Sequence, residues 1–223
     1  MGDECTHSLI TVDLKDVTLL GELNIPENAL GLILFSHESL SSRLNGGNNY
    51  IARTLQENGL ATLFLDLLTD EEHCIYENRF NIELLTKRLI EVTKCIKNLK
   101  QTSNLPIGYF GGGTVAAYTL RAAAALKGDI AAMVSHCGRP DHAMDVIEKV
   151  RTPTLLIVGG NDTEVLEINK QAYQRLQGAR CMKIIPNASH LFEENGKLET
   201  MAISTVEWFR EKINAKTINY VEG

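Results

Sequence analysis

Short, almost continuously apolar runs alternate with amphipathic helical stretches along nearly the whole chain, and this rhythm is the strongest constraint on its fold. Residues 7–14 and 17–25 are rich in Leu and β-branched residues and broken near Lys15 and Asp16, which predicts a hairpin. Then follow Leu30–Phe35, Ala61–Leu67, Leu105–Phe110, Ile130–Ser135, Thr154–Val158 and Cys181–Ile185. Strands covered on both faces have this composition. Between them lie helical patterns at 48–58, 82–99, 114–126, 142–149, 165–177 and 198–214. The alternation predicts an α/β architecture, a mostly parallel, doubly wound sheet of about 7–8 strands with helices on both faces. No linker, repeat or low-complexity stretch divides the 223 residues, so one domain over 1–223 is expected, fraying at about 216–223.

Composition narrows the partners. A formal charge of −6 argues against nucleic acid and anionic membranes, which need a basic face. No apolar run reaches the ~18 residues of a membrane span, and the acidic start Met-Gly-Asp-Glu-Cys lacks a signal core. Five cysteines at irregular spacing read as reduced thiols, hence a cytoplasmic location.

In doubly wound sheets, working residues collect where strands end and helices begin. One such exit reads Gly-Tyr-Phe-Gly-Gly-Gly-Thr-Val-Ala-Ala-Tyr over 108–118, a strand, a glycine turn and an alanine-rich helix. Another, Leu-Leu-Ile-Val-Gly-Gly-Asn-Asp over 155–162, carries Asp162 just beyond a buried strand. The last strand exits into Asn-Ala-Ser-His-Leu-Phe-Glu-Glu, with His190 before the C-terminal helix. A turn after a middle strand, then an acid, then a histidine is the chain order of the α/β-hydrolase triad. His190 is the candidate general base, and Asp162 the residue that orients its imidazole.

On these residues the chain resembles the dienelactone hydrolase branch of the α/β-hydrolase fold. The similar stretches are LFSHESLSSRLN (34–45), YIARTLQENGLATLFLDLLTDEE (50–72), IGYFGGGT (107–114), GRPD (138–141), TPTLLIVGGND (152–162) and ASHLFEENGKLE (188–199). The resemblance implies cofactor-free hydrolysis of small esters or lactones through a nucleophile elbow, with Asp162 and His190 as acid and base. It implies an ester- or lactone-like small-molecule ligand and leaves a homodimer open.

The nucleophile itself does not carry over. The branch has Gly-x-Ser-x-Gly or a Cys variant at the elbow, whereas this chain has Gly111-Gly112-Gly113-Thr114-Val115, with Gly113 at the vacant nucleophile position. Thr114, the next residue, would offer a backbone oxyanion donor. The branch's oxyanion loop is His-Gly-x-Gly in character; here it reads His37-Glu38-Ser39-Leu40, and an inward Glu38 carboxylate would oppose a developing oxyanion. The expectation is a catalytically impaired, ligand-binding relative, or a serine hydrolase disabled at residue 113. The alternative is an active enzyme of altered mechanism, hydrolytic with His190 and Asp162 serving water or the thiol of Cys137, or non-hydrolytic with His190 as a proton shuttle. A thiol at a strand exit is a good nucleophile, although neighbours in an extended strand point opposite ways, so Cys137 and His136 are not expected on one side. His136, Cys137, Asp141, His142 and His190 are metal-ligating types, but they lack His-x-x-x-His or Cys-x-x-Cys spacing, so no metal is expected. The glycines also lack the spacing of a phosphate-binding loop.

Overall fold

The computed structural model describes residues 5–37 and 46–221, with side chains over 5–36 and 46–215. Its eight strands form one sheet: β1 (Thr6–Asp13), β2 (Thr18–Ile25), β3 (Leu32–His37), β4 (Ala61–Asp66), β5 (Ile107–Gly113), β6 (Ile130–Gly138), β7 (Thr154–Gly159) and β8 (Arg180–Ile185). Their order is β1-β2-β4-β3-β5-β6-β7-β8. The expected hairpin is present, with Thr6 opposite Ile25 and Asp13 opposite Thr18, and β2 continues antiparallel to β4. From β4 to β8 every neighbouring pair is parallel.

The helices are α1 (Gly46–Glu57), α2 (Asp70–His73), α3 (Ile82–Asn98), α4 (Val115–Leu126), α5 (Thr163–Arg175) and α6 (Lys197–Val221). Side chains alternate between the faces of a strand, and β3 shows what this does to the core. Leu32 and Leu34 join the cluster under α3 and α4, while Ile33 and Phe35 join the one under α1 and α6. On α3 the buried Leu85, Leu89, Val92 and Ile96 keep helical spacing, so a single stripe faces the sheet. Trp208 and Phe209 of α6 are buried as core residues. Gly108 lets α6 sit close to β5, because a Cβ there would lie 2.7 Å from Phe209 Cε1.

The helix expected at 142–149 is instead two 3₁₀ turns, Pro140–Ala143 and Ile147–Lys149. The reason is local. The His142 carbonyl accepts a hydrogen bond from Arg121 Nε at 3.0 Å, and Val146 N–H bonds Ala143 three residues back, so no i→i−4 ladder starts. α2 had no periodic signal; a capping box of Thr69 and Glu72 makes it. No helix among the described residues is long and apolar enough to cross a membrane.

Candidate active site

The glycine turn stays in the sheet longer than its sequence suggests. Gly111 pairs with Ser135 and Gly112 with His136, but Gly113 pairs with Gly138. Cys137 is therefore the extra residue of a β-bulge, with φ +41, a left-handed conformation usually left to glycine. Bulges re-aim side chains, and this one removes the strict in–out alternation that would have turned Cys137 away. Gly113 has φ +53 and nothing within 4 Å of the position a Cβ would occupy. Its carbonyl accepts the Arg139 N–H at 2.9 Å. Thr114 then serves as N-cap of α4 without a side-chain cap bond.

Asp162 stands at the N-cap of α5, and its side chain makes no cap hydrogen bond. One of its carboxylate oxygens, Oδ2, lies 2.6 Å from His190 Nδ1. The imidazole is half exposed (50%) and the carboxylate largely covered (17%), so the ring can meet a ligand while its orienting partner is fixed. Backbone bonds hold the two loops together: Gly160 N–H to Ile185 O at 2.8 Å and Asn161 N–H to Ala188 O at 3.0 Å. Within the histidine loop the Glu194 carboxylate accepts the Ser189 N–H at 2.8 Å.

The Cys137 thiol completes this cluster. Sγ, an Asp162 carboxylate oxygen and a His190 ring nitrogen all lie within 4.8 Å of one another. Cys137 is buried, and desolvation pushes its thiol up to about 11, against a backbone hydrogen bond with Gly159 that lowers it and an Asp162 charge that raises it further. Behind it, His136 stacks on Phe110 at 5.1 Å and meets the edge of Phe192 at 6.4 Å. Burial, then the nearby His190, push the His136 imidazole down to about 4, although an edge of the residue remains accessible; it is neutral at physiological pH. The metal-ligating types noted in the sequence are thus sorted. Cys137 and His190 come together with Asp162, whereas Asp141 pairs with Arg139 at 2.7 Å.

His37 ends β3 opposite Asp66, at the strand exits that carry the dyad; its side chain, and all of Glu38, Ser39 and Leu40, lie outside the described residues. Sequence reasoning missed Asn169, whose amide donates to Gly138 O at 2.9 Å and pins the end of the bulge to α5. Its signal was a polar residue on the apolar stripe between Val165 and Ala172. A cavity of about 570 Å³ lined by Leu30, Lys97, Pro106 and Asp129 opens at the opposite end of the sheet, where β3, β5 and β6 begin, and takes no part in this chemistry.

No protein-family model matches the chain. Over 193 residues, 86% of its length, it is 46% identical to a Mycobacterium tuberculosis protein described as "Putative phosphoribosyl transferase", found in strains CDC 1551 / Oshkosh and ATCC 25618 / H37Rv; the chain spans 44% of the length of these relatives. Among solved structures, Est1E from Butyrivibrio proteoclasticus is 16% identical with a TM-score of 0.77, covering 92% of this chain and 99% of its own, a likeness of fold. The crystal structure of dienelactone hydrolase from Anabaena variabilis ATCC 29413 is 43% identical with a TM-score of 0.89, covering 93% of this chain and 98% of that one. With the α/β-hydrolase fold, the strand-exit dyad and this similarity over the whole domain, the chain belongs to the dienelactone hydrolase family.

Proposed function

We propose that this chain binds a small ester- or lactone-like ligand in a dienelactone hydrolase-type site whose covalent nucleophile is absent, Gly113 standing where family members carry the attacking side chain. The observation that carries the reading is the 2.6 Å contact of His190 with Asp162, at the same end of the sheet as a left-handed glycine with open space around it. With Nδ1 donating to the carboxylate, Nε2 of His190 is left as a base, and Asp162 stabilises the imidazolium after proton uptake. Gly113 has no atom to receive an acyl group, so no acyl-enzyme forms there. Loss of a triad serine costs on the order of 10⁶ in turnover, with roughly 10³–10⁴ over water remaining from the rest of a site.

Ester turnover on a panel of p-nitrophenyl esters, compared for the native chain and Gly113→Ser, tests this. The native chain should not exceed the residual ~10³–10⁴ over the buffer rate, Gly113→Ser should gain at least about a hundredfold on the native chain, within the range a serine supplies, and adding His190→Ala should remove the gain. Native turnover equal to that of Gly113→Ser, or a folded but inert Gly113→Ser, would overturn the proposal. A thiol route is the second reading, favoured by the proximity of Cys137 Sγ to His190; it predicts native turnover that Cys137→Ala abolishes. Burial of that thiol and its raised pKa weigh against it. The transferase name of the mycobacterial relatives is not carried to this chain, which matches under half of their length and whose paired imidazole and carboxylate suit acyl-group hydrolysis.

A further inference from the structure

We infer that Cys137, Asp162 and His190 together form a binding site for a thiophilic divalent cation, zinc being the ion their donor set fits best. The inference stands on the geometry of the three side chains and does not depend on the ligand proposed above. Sulfur, carboxylate oxygen and imidazole nitrogen are the donors zinc takes from proteins, and here all three converge within 4.8 Å. They come from three separate strands, Cys137 from the bulged end of β6, Asp162 and His190 from the loops after β7 and β8, which is why local spacing in the sequence gives no sign of them.

The adjustment required is small. Tetrahedral zinc, at about 2.3 Å from sulfur and about 2.0–2.1 Å from nitrogen and oxygen, places ligand atoms about 3.3–3.6 Å apart. Asp162 Oδ2 and His190 Nδ1 must open from 2.6 Å, and the sulfur must close from at most 4.8 Å. His190, half exposed, supplies the opening from Asp162, and the Cys137 and Asp162 side chains supply the closing on backbones held by the bulge and the α5 N-terminus.

Two further features point the same way. Cys137 occupies a left-handed backbone position usually left to glycine, and the bulge places its sulfur beside a carboxylate and an imidazole. A backbone hydrogen bond with Gly159 also reaches the sulfur, the outer-shell support typical of metal-bound sulfur. Three protein ligands leave one tetrahedral position, toward the exposed side of His190, for water. The cation would replace the proton shared by Asp162 and His190, so metal binding and general-base action by that imidazole exclude each other.

Titration of Co²⁺ into the chelator-stripped full chain tests the site. One equivalent should raise a thiolate-to-cobalt charge-transfer band together with the visible bands of tetrahedral cobalt, and Zn²⁺ should bleach both. Cys137→Gly, which suits the left-handed backbone, and Cys137→Ser, which keeps the side-chain volume, should both abolish the charge-transfer band. His190→Ala and Asp162→Asn should each weaken binding at least tenfold. Replacing the remaining free cysteines, Cys5, Cys74, Cys95 and Cys181, with serine should leave the spectrum intact. A band that survives in Cys137→Gly, that vanishes with the other cysteines, or that never reaches one equivalent would overturn the inference. A chain that binds no cobalt yet gains hydrolysis through Gly113→Ser would sink the metal site alone.

Discussion

The loop leaving β4 is fixed by one ion pair whose removal has a calculable cost. Arg88 of α3 is almost fully covered (8% exposed) and donates to Leu67 O at 2.7 Å. Its two terminal nitrogens also donate to the two carboxylate oxygens of Glu72. Glu72, 26% exposed, accepts the Thr69 N–H at 3.0 Å as well. Glu72→Ala therefore strands a buried guanidinium with a single carbonyl and loses half of the α2 capping box. Breaking a buried pair from one side costs about 3–5 kcal/mol, and the accessible side of Glu72 admits water, so about 3 kcal/mol is expected.

For a chain of this size that is a fall in Tm of roughly 6–12 °C, at about 2–4 °C per kcal/mol. In urea denaturation the midpoint should move while the slope stays constant. The double variant Glu72→Ala/Arg88→Met should regain much of the loss, since it no longer buries an unpaired charge. The sign with pH is also set. The Arg88 hydrogen bonds hold the Glu72 carboxyl below its ordinary value of 4.5, so the pair's contribution is full above that value and is lost as pH falls through the lower, folded-state pKa. Glu72→Gln should lack this part of the acid slope. A Glu72→Ala loss under ~0.5 kcal/mol, the behaviour of a surface pair, or a double variant no better than the single one, would refute the reasoning.

Two further outcomes follow from the core. Thr93 Oγ1 lies 2.6 Å from the hydroxyl of Tyr109, which is 1% exposed; Thr93→Val should cost about 1–3 kcal/mol in urea denaturation by leaving that hydroxyl unpaired, and Thr93→Val/Tyr109→Phe should recover part of it. Gly108→Ala would put a Cβ 2.7 Å from Phe209 Cε1 and 2.8 Å from Ile33 Cδ1, and overpacking of this kind should lower stability by about 1–3 kcal/mol in the same assay, with Gly108→Ala/Phe209→Leu relieving it.

How much of this was legible in the sequence depends on whether the deciding interaction is local. The strands from β3 to β7 announce themselves because both faces are covered, so nearly every residue is apolar, as in Thr154–Gly159, where all six are buried; β8 departs from this, an edge strand whose Arg180, Cys181, Lys183 and Ile184 are exposed. The dyad was legible for a related reason: Asp162 and His190 stand in the loops after β7 and β8, and a parallel sheet brings its strand exits to one end. The 3₁₀ turns at 140–149 were not legible, since Arg121, about twenty residues earlier, takes the His142 carbonyl. Nor was the direction of Cys137. Strict alternation turns it from its neighbour's side, but pairing of Gly113 with Gly138 across the sheet inserts a bulge that no property of residues 135–138 alone requires. The sequence offered Cys137 as a pocket residue and an alternative thiol beside the dyad; the bulge that brings its sulfur there is visible only in three dimensions.

The same logic separates the three glycines of the turn. A Cβ on Gly111 would fall 2.1 Å from Val115 Cγ1, and one on Gly112 would meet the His136 ring at 2.4 Å and its carbonyl oxygen at 2.6 Å. Both positions are closed by packing: α4 returns across the first, and β6 lies against the second. Gly113 is open, and only its left-handed φ, worth about 1–2 kcal/mol to a residue with a side chain, selects against one. Cys137, one strand away, tolerates the same conformation at φ +41. Packing thus does not require glycine at 113, and a serine there would face only backbone strain of a kind this fold already sustains nearby. A Gly113→Ser chain should accordingly fold with a Tm within roughly 2–8 °C of the native one, which makes its catalytic result a test of chemistry and not of stability.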